Sequence, residues 1–172
     1  MSPGGHAATT VVASTAAALY GGSLPVAAGV AAGGFLIDLD HAVDYVLFNG
    51  QTDVRPSAFL RYYLEGWPHR VVLMLHSYEL FALLIAVAWW THWSVLWGYV
   101  IGGLMHLLLD MRFNGELLPN NVLAFYSFAY RAAHRFRGAT LHGELTRVPA
   151  PEGFWRAFFW NGAVTGLRQP PS

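Results

Sequence analysis

Apolar positions run without a charged interruption from Ala7 to Ile37, and again from Val71 to Leu109, where Glu79 is the only carboxylate and there is no Arg. A water-soluble core rarely tolerates such stretches, and each is broken once by turn chemistry. Gly21-Gly22-Ser23-Leu24-Pro25 supplies glycines that permit positive φ and a proline suited to the first turn of a new helix. Thr91-His92-Trp93-Ser94 divides the second stretch, with Trp89, Trp90, Trp93 and Trp97 around it as an aromatic belt. The pattern predicts two helical hairpins. Beyond Asp110 the character becomes mixed aromatic and basic: Asn120 to Phe136 reads as one helix, Phe154 to Trp160 as an interfacial segment, and the last dozen residues as a frayed tail. The expected fold is an all-α, polytopic membrane bundle of about four core helices in two hairpins, with C-terminal interfacial helices. It forms a single membrane domain over residues 1–172, the metal-site core at 1–111 and the aromatic, basic region at 112–172.

Composition agrees with that pattern: 55% of residues are hydrophobic, 12% are charged, and the mean hydropathy is +0.37. The formal net charge is zero, so no global field draws the chain to nucleic acid, and no DNA-binding motif is present. Without cysteine, any metal must be held by imidazole, carboxylate and water. The first residues lack a basic n-region, so the first helix is expected to be retained. Arg55, Arg61 and Arg70 lie between the hairpins and Arg112 with six more follows the second, whereas both tips have none. By the positive-inside rule the tips face outward, and His6, the 41–70 connection and the C-terminal region share the cytoplasmic side of a multi-pass inner-membrane protein. His6 to Tyr20 and Leu24 to Asp38 are short spans, 15 residues each, or about 22 Å of helix against about 30 Å of hydrocarbon. A soluble or monotopic helical bundle is the alternative.

Four groups of metal-ligand residues interrupt these apolar segments, and antiparallel hairpins return all four to one end. His6 precedes the first helix, Asp38-Leu39-Asp40-His41 closes the second, His76-Ser77-Tyr78-Glu79 opens the third, and His106 and Asp110 close the fourth. Ionisable residues at membrane depth mark functional sites because they are costly there unless paired or bound. His106 and Asp110 share a helix face one turn apart. Alone, such a pair is more simply a hydrogen bond between helices; it is not alone here. Asp38, His41 and Asp44, with Asp40 beside them, crowd carboxylates that a cation would relieve. His69, His76 and Glu79 share a face if the third helix begins near Pro68, although Glu79 could equally pair with Arg70 or Arg112 as structural glue. His92, His134 and His142 read as turn or loop residues.

The order Gly5-His6, Ile37-Asp38-Leu39-Asp40-His41, His76-Ser77 and Gly98-Tyr99 continuing to His106 and Asp110 resembles a family of inner-membrane metal-dependent hydrolases, also described as LexA-binding. The resemblance covers about two-thirds of the chain and suggests a divergent branch: Ile37 stands where the family often has proline, and His69-Arg70 is spaced further from His76-Ser77. More weakly, the pattern is similar to the sites of zinc-dependent phospholipase C and P1-type nucleases. The resemblance implies a membrane hydrolase of phosphoester or lipid substrates with one to three divalent metals, zinc being the expected ion. His6, Asp38, His41, His76, His106 and Asp110 are the expected ligands, Glu79 or Asp40 the general base, and Arg70 and Arg112 the phosphate-binding residues. Two other classes fit the same residues. One is an ion or proton transporter; the other is a non-catalytic membrane partner protein with a structural metal and a docking surface in its C-terminal region.

Overall fold

Gly21 and Ser23 separate the first two helices, as the turn chemistry predicts: α1 spans Pro3–Leu19 and α2 spans Leu24–Leu36. Ser23 caps α2, its Oγ accepting from the Val26 N–H at 3.4 Å, with Pro25 in the first turn. The computed structural model describes residues 3–21, 23–113 and 121–143, with positions 155 and 159. Among them the protein is all-helical, without a strand; a lone antiparallel bridge joins Arg70 to Arg137. After Asp38 the chain continues as α3 (Leu39–Val43), which runs into a π-helical turn at Asp44–Phe48. Then follow α4 (Pro56–Leu64), α5 (Tyr78–Thr91), α6 (Ser94–Phe113), α7 (Val122–Phe125), α8 (Phe128–Ala133) and α9 (Gly138–His142). His92, with φ 52°, takes the left-handed conformation that ends α5 and turns the chain into α6.

The principal contact is between α2 and α6, which pack in parallel with their backbones touching. A Cβ on Gly29 would lie 2.1 Å from the Val95 carbonyl oxygen, on Gly33 2.1 Å from that of Tyr99, and on Gly102 2.2 Å from that of Val30. Gly29 and Gly33 on one helix, with Gly98 and Gly102 on the other, form two facing Gly-x-x-x-Gly pairs, the pattern that lets helix backbones approach closely in apolar surroundings. α1 packs on α2, and α5 on α6. Both hairpin tips therefore fall at the same end, where Pro25 and Thr91 to Val95 line one cleft. Trp89, Trp90 and Trp93 are exposed there, Trp90 by 86%.

Among the described residues, two segments are long and apolar enough to cross a membrane: Leu24–Phe48, of 25 residues, and Ser94–Phe113, of 20. α5 is apolar but shorter, and α1 has 17 residues, so four membrane-spanning core helices are not established. The second helix itself ends at Leu36, short of the expected Asp38, but helical backbone resumes at Leu39 and continues to Phe48, so the segment as a whole reaches 25 residues. Two other boundaries differ. The third helix starts at Tyr78 rather than near Pro68, because the backbone N–H groups of His69, Arg70, Val72, Leu73 and Leu75 donate to side chains of Asn49, Asp44 and Asp40 instead of to carbonyls one helical turn back. The helix expected over Asn120 to Phe136 is α7 and α8, broken where Ser127 caps the latter through Tyr130 N–H. Of the expected interfacial segment Phe154 to Trp160, only Trp155 and Phe159 are described, their rings 6.3 Å apart; the tail lies outside the described residues.

Candidate metal centre

Four of the eight histidines meet at the end of the bundle opposite the hairpin tips. α1 supplies His6 from its first turns and α6 supplies His106 and Asp110 from its last; the His6 and His106 rings stack at 3.8 Å. His6 Nε2 lies 2.9 Å from Asp110 Oδ1. The junction after α2 adds Asp38, whose Oδ1 is 3.4 Å from His106 Nε2 and 3.5 Å from His76 Nε2. Asp110 Oδ2 stands 3.4 Å from His106 Nε2 and 3.6 Å from His76 Nε2. His41 stands further out, its Nε2 3.8 Å from Asp38 and its ring 5.2 Å from that of His76.

Each central imidazole is oriented by what holds its other nitrogen. His106 Nδ1 donates to the Gly34 carbonyl at 3.0 Å, and His76 Nδ1 donates to the Asp40 carboxylate at 3.0 Å. Both rings thus turn Nε2 toward Asp38 and Asp110, the arrangement by which a carboxylate or carbonyl fixes the tautomer of a metal-ligating histidine. His76 Nε2 is buried with no hydrogen-bond partner, and so is His41 Nδ1. An orphaned nitrogen facing two carboxylates fits a cation between them. Among the described residues, three groups have ligand atoms mutually within 4.8 Å: His6 with His106 and Asp110, Asp38 with His76 and His106, and Asp40 with His41 and His76. These buried His/Asp groups could hold a metal ion.

His76 lies on an extended segment rather than on α5, and its placement rests on residues the sequence pattern does not mark. The π turn brings Asn49 over Asp44, its N–H donating to the Asp44 carbonyl five residues back. Asn49, Asp44 and Asp40 then receive the 69–76 segment in succession. Asn49 Oδ1 accepts from His69 and Arg70 N–H, Asp44 from Val72 and Leu73, and Asp40 from Leu75 and His76. From the other side Arg131, 0% exposed, donates to the carbonyls of Val72, Leu73, His76 and Phe125. Tyr63 of α4 donates its hydroxyl to the His41 carbonyl at 2.6 Å, with its ring edge against the imidazole.

Burial by itself would lower the His76 pKa, but the carboxylates of Asp110, Asp38 and Asp40 hold it well above the ordinary histidine value. The negative charge gathered here favours a positive occupant. Asp38 has half of its side chain (50%) exposed, against 10% for Asp110, so it forms the open side of the cluster.

The six expected ligands come together; the other expected site residues do not. Glu79 is turned to α8: its carboxylate accepts from Ser127 Oγ and from the Phe128 and Ala129 N–H groups, which satisfies a helix N-terminus and leaves no oxygen for the cluster. The general-base role does not suit it. Asp40 is spent on His76 Nδ1 and two N–H groups, so it orients the His76 ring. Asp44 is likewise committed to backbone, and His69 is exposed. Arg70 is exposed at the far end of the 69–76 segment, and Arg112 is exposed with its guanidinium 5.6 Å from the Phe113 ring, so neither is placed against the ligands.

Fold and site together define an all-helical protein with membrane-compatible helices and a buried imidazole–carboxylate cluster. Comparison with protein-family models, curated proteins and solved structures finds no match for the chain.

Proposed function

We propose that the protein is a membrane-embedded, metal-dependent hydrolase of phosphoester or lipid substrates, a divergent member of the inner-membrane hydrolase family that its motifs resemble. The observation that carries this reading is the His76 ring: Nδ1 held by Asp40, and Nε2 buried between the Asp38 and Asp110 carboxylates at 3.5 and 3.6 Å without a hydrogen bond to either. Atoms that each stand about 2 Å from a shared ion lie beyond hydrogen-bonding distance of one another. His6, His106 and Asp110 would hold one divalent ion, Asp38 and His76 would contribute to a second, and His41 would support an optional third. Zinc suits a set of imidazoles and carboxylates. A divalent ion in such a site acts as a Lewis acid and activates water at neutral pH. Asp38, the half-exposed carboxylate, stands where water would enter, and Asp40 keeps His76 in the ligating tautomer. The bundle lies in the inner membrane with this end on the cytoplasmic side, and lipids are its immediate partners.

The test is turnover by metal-replete protein in lipid against a panel of phospholipids, lipid phosphates, nucleotides and esters, with Asp38→Asn and His106→Ala as controls. The reading expects hydrolysis of a phosphoester or lipid that both variants reduce at least a hundredfold. Metal-replete protein that turns over none of these but carries ions or protons across liposomes is a transporter. If it does neither, the metal is structural in a partner protein.

A further inference from the structure

Arg70 and Arg137 face each other across the antiparallel bridge. The bridge is closed by Val71 N–H to the Phe136 carbonyl at 2.9 Å and by Gly138 N–H to the His69 carbonyl at 2.9 Å. Those bonds flank the arginines rather than joining them, so the two form the non-hydrogen-bonded type of pair, with Cα atoms about 4.5 Å apart and side chains leaving on the same face. Like charges directly opposite one another oppose pairing. Both side chains are exposed, and among the described residues no carboxylate lies within ion-pair reach of Arg70, Arg137 or neighbouring Arg135.

Backbone geometry holds this juxtaposition in place. Arg135 and Phe136 are consecutive non-glycine residues with φ 54° and 56°, a conformation that persists only when its surroundings over-determine it. Here they do: Phe136 N–H donates to the Arg131 carbonyl, Arg131 is wholly buried, and Arg70 is gripped by Asn49 at both its N–H and its carbonyl. Strained backbone therefore holds two arginines, unpaired among the described residues, directly opposite each other.

We propose that Arg70 and Arg137 form an oxyanion site for a phosphate group, separate from the metal centre. Paired guanidinium forks match phosphate oxygens, and a bound anion removes the repulsion between them. The separation follows from the 69–76 segment, which runs antiparallel to α3. Arg70 lies level with Asn49 and His76 level with Asp40, nine residues of helix apart, or about 13 Å. The phosphate is that of an anionic lipid headgroup or of a soluble phosphate compound; the chemistry is shared.

Purified full-length protein in a nonionic detergent with EDTA present is titrated with inorganic phosphate and, separately, with dihexanoyl phosphatidylglycerol. The proposal expects at least one probe to bind, Arg70→Gln or Arg137→Gln to weaken it about tenfold or more, and the double variant to lose little beyond either single change. Binding of both probes makes the phosphate group sufficient, and binding of the lipid alone makes the headgroup the source. In phosphate-free buffer each single variant melts no lower than wild type, since it removes only repulsion. Equal binding by wild type and the double variant, no binding of either probe, or a lower melting point in phosphate-free buffer overturns the proposal.

Discussion

Two carboxylates that look alike in the sequence do different work, and single substitutions separate them. Asp40 fixes the ring of His76 from behind, and loss of such a partner typically costs about 10–100-fold in metal affinity. Asp40→Asn is therefore expected to weaken metal binding by that factor in a chelator-competition titration while the protein remains folded enough to bind. Glu79 instead bonds the first N–H groups of α8, so Glu79→Ala is expected to cost about 0.5–2 kcal/mol of stability, read by denaturant or thermal unfolding, with metal content unchanged. The spacing His76-x-x-Glu79 could not separate these roles, because the partner of Glu79 lies 48 residues downstream at Ser127. Arg131 was equally hidden. In the sequence it is one of several C-terminal arginines, and only its burial against four carbonyl oxygens shows that it holds the loop carrying His76.

Among the elements, the hairpin breaks at Gly21 to Pro25 and at Thr91 to Ser94 were legible because they rest on local turn chemistry and uninterrupted apolar runs. Convergence of His6, Asp38, His106 and Asp110 followed from that topology, whereas His76 reaches them on a segment that the hairpins do not define. The extended segment 69–77 was not legible: its hydrogen bonds go to Asn49, Asp44 and Asp40, and a π turn, which no periodicity announces, aligns Asn49 with Asp44. The facing Gly-x-x-x-Gly pairs of α2 and α6 stood in the sequence, but their significance depends on which helices are neighbours. They set the depth at which Asp38 meets His106. Gly33→Ala would put a methyl 2.1 Å from the Tyr99 carbonyl oxygen, where only backbone could give way. The variant is expected to lose about 1–3 kcal/mol of stability and a large share of its bound metal, although Gly33 is no ligand. Elemental analysis alongside thermal unfolding checks both effects.

On the scale of the whole molecule, exposed tryptophans crown one end and the ionisable cluster gathers toward the other, its residues carried in part by two membrane-length segments, Leu24–Phe48 and Ser94–Phe113. Gathering His6, Asp38, His76, His106 and Asp110 at one end leaves several carboxylates sharing a small volume with a buried imidazole nitrogen that has no hydrogen bond, an arrangement suited to a divalent cation. The central claim is that the cluster is a metal centre. Elemental analysis of monodisperse, detergent-purified wild type, His106→Ala and Asp110→Asn tests it most directly. The account predicts at least one divalent metal per wild-type chain and its near-complete loss from both variants, whereas wild type without metal, or all three proteins with equal content, would contradict it.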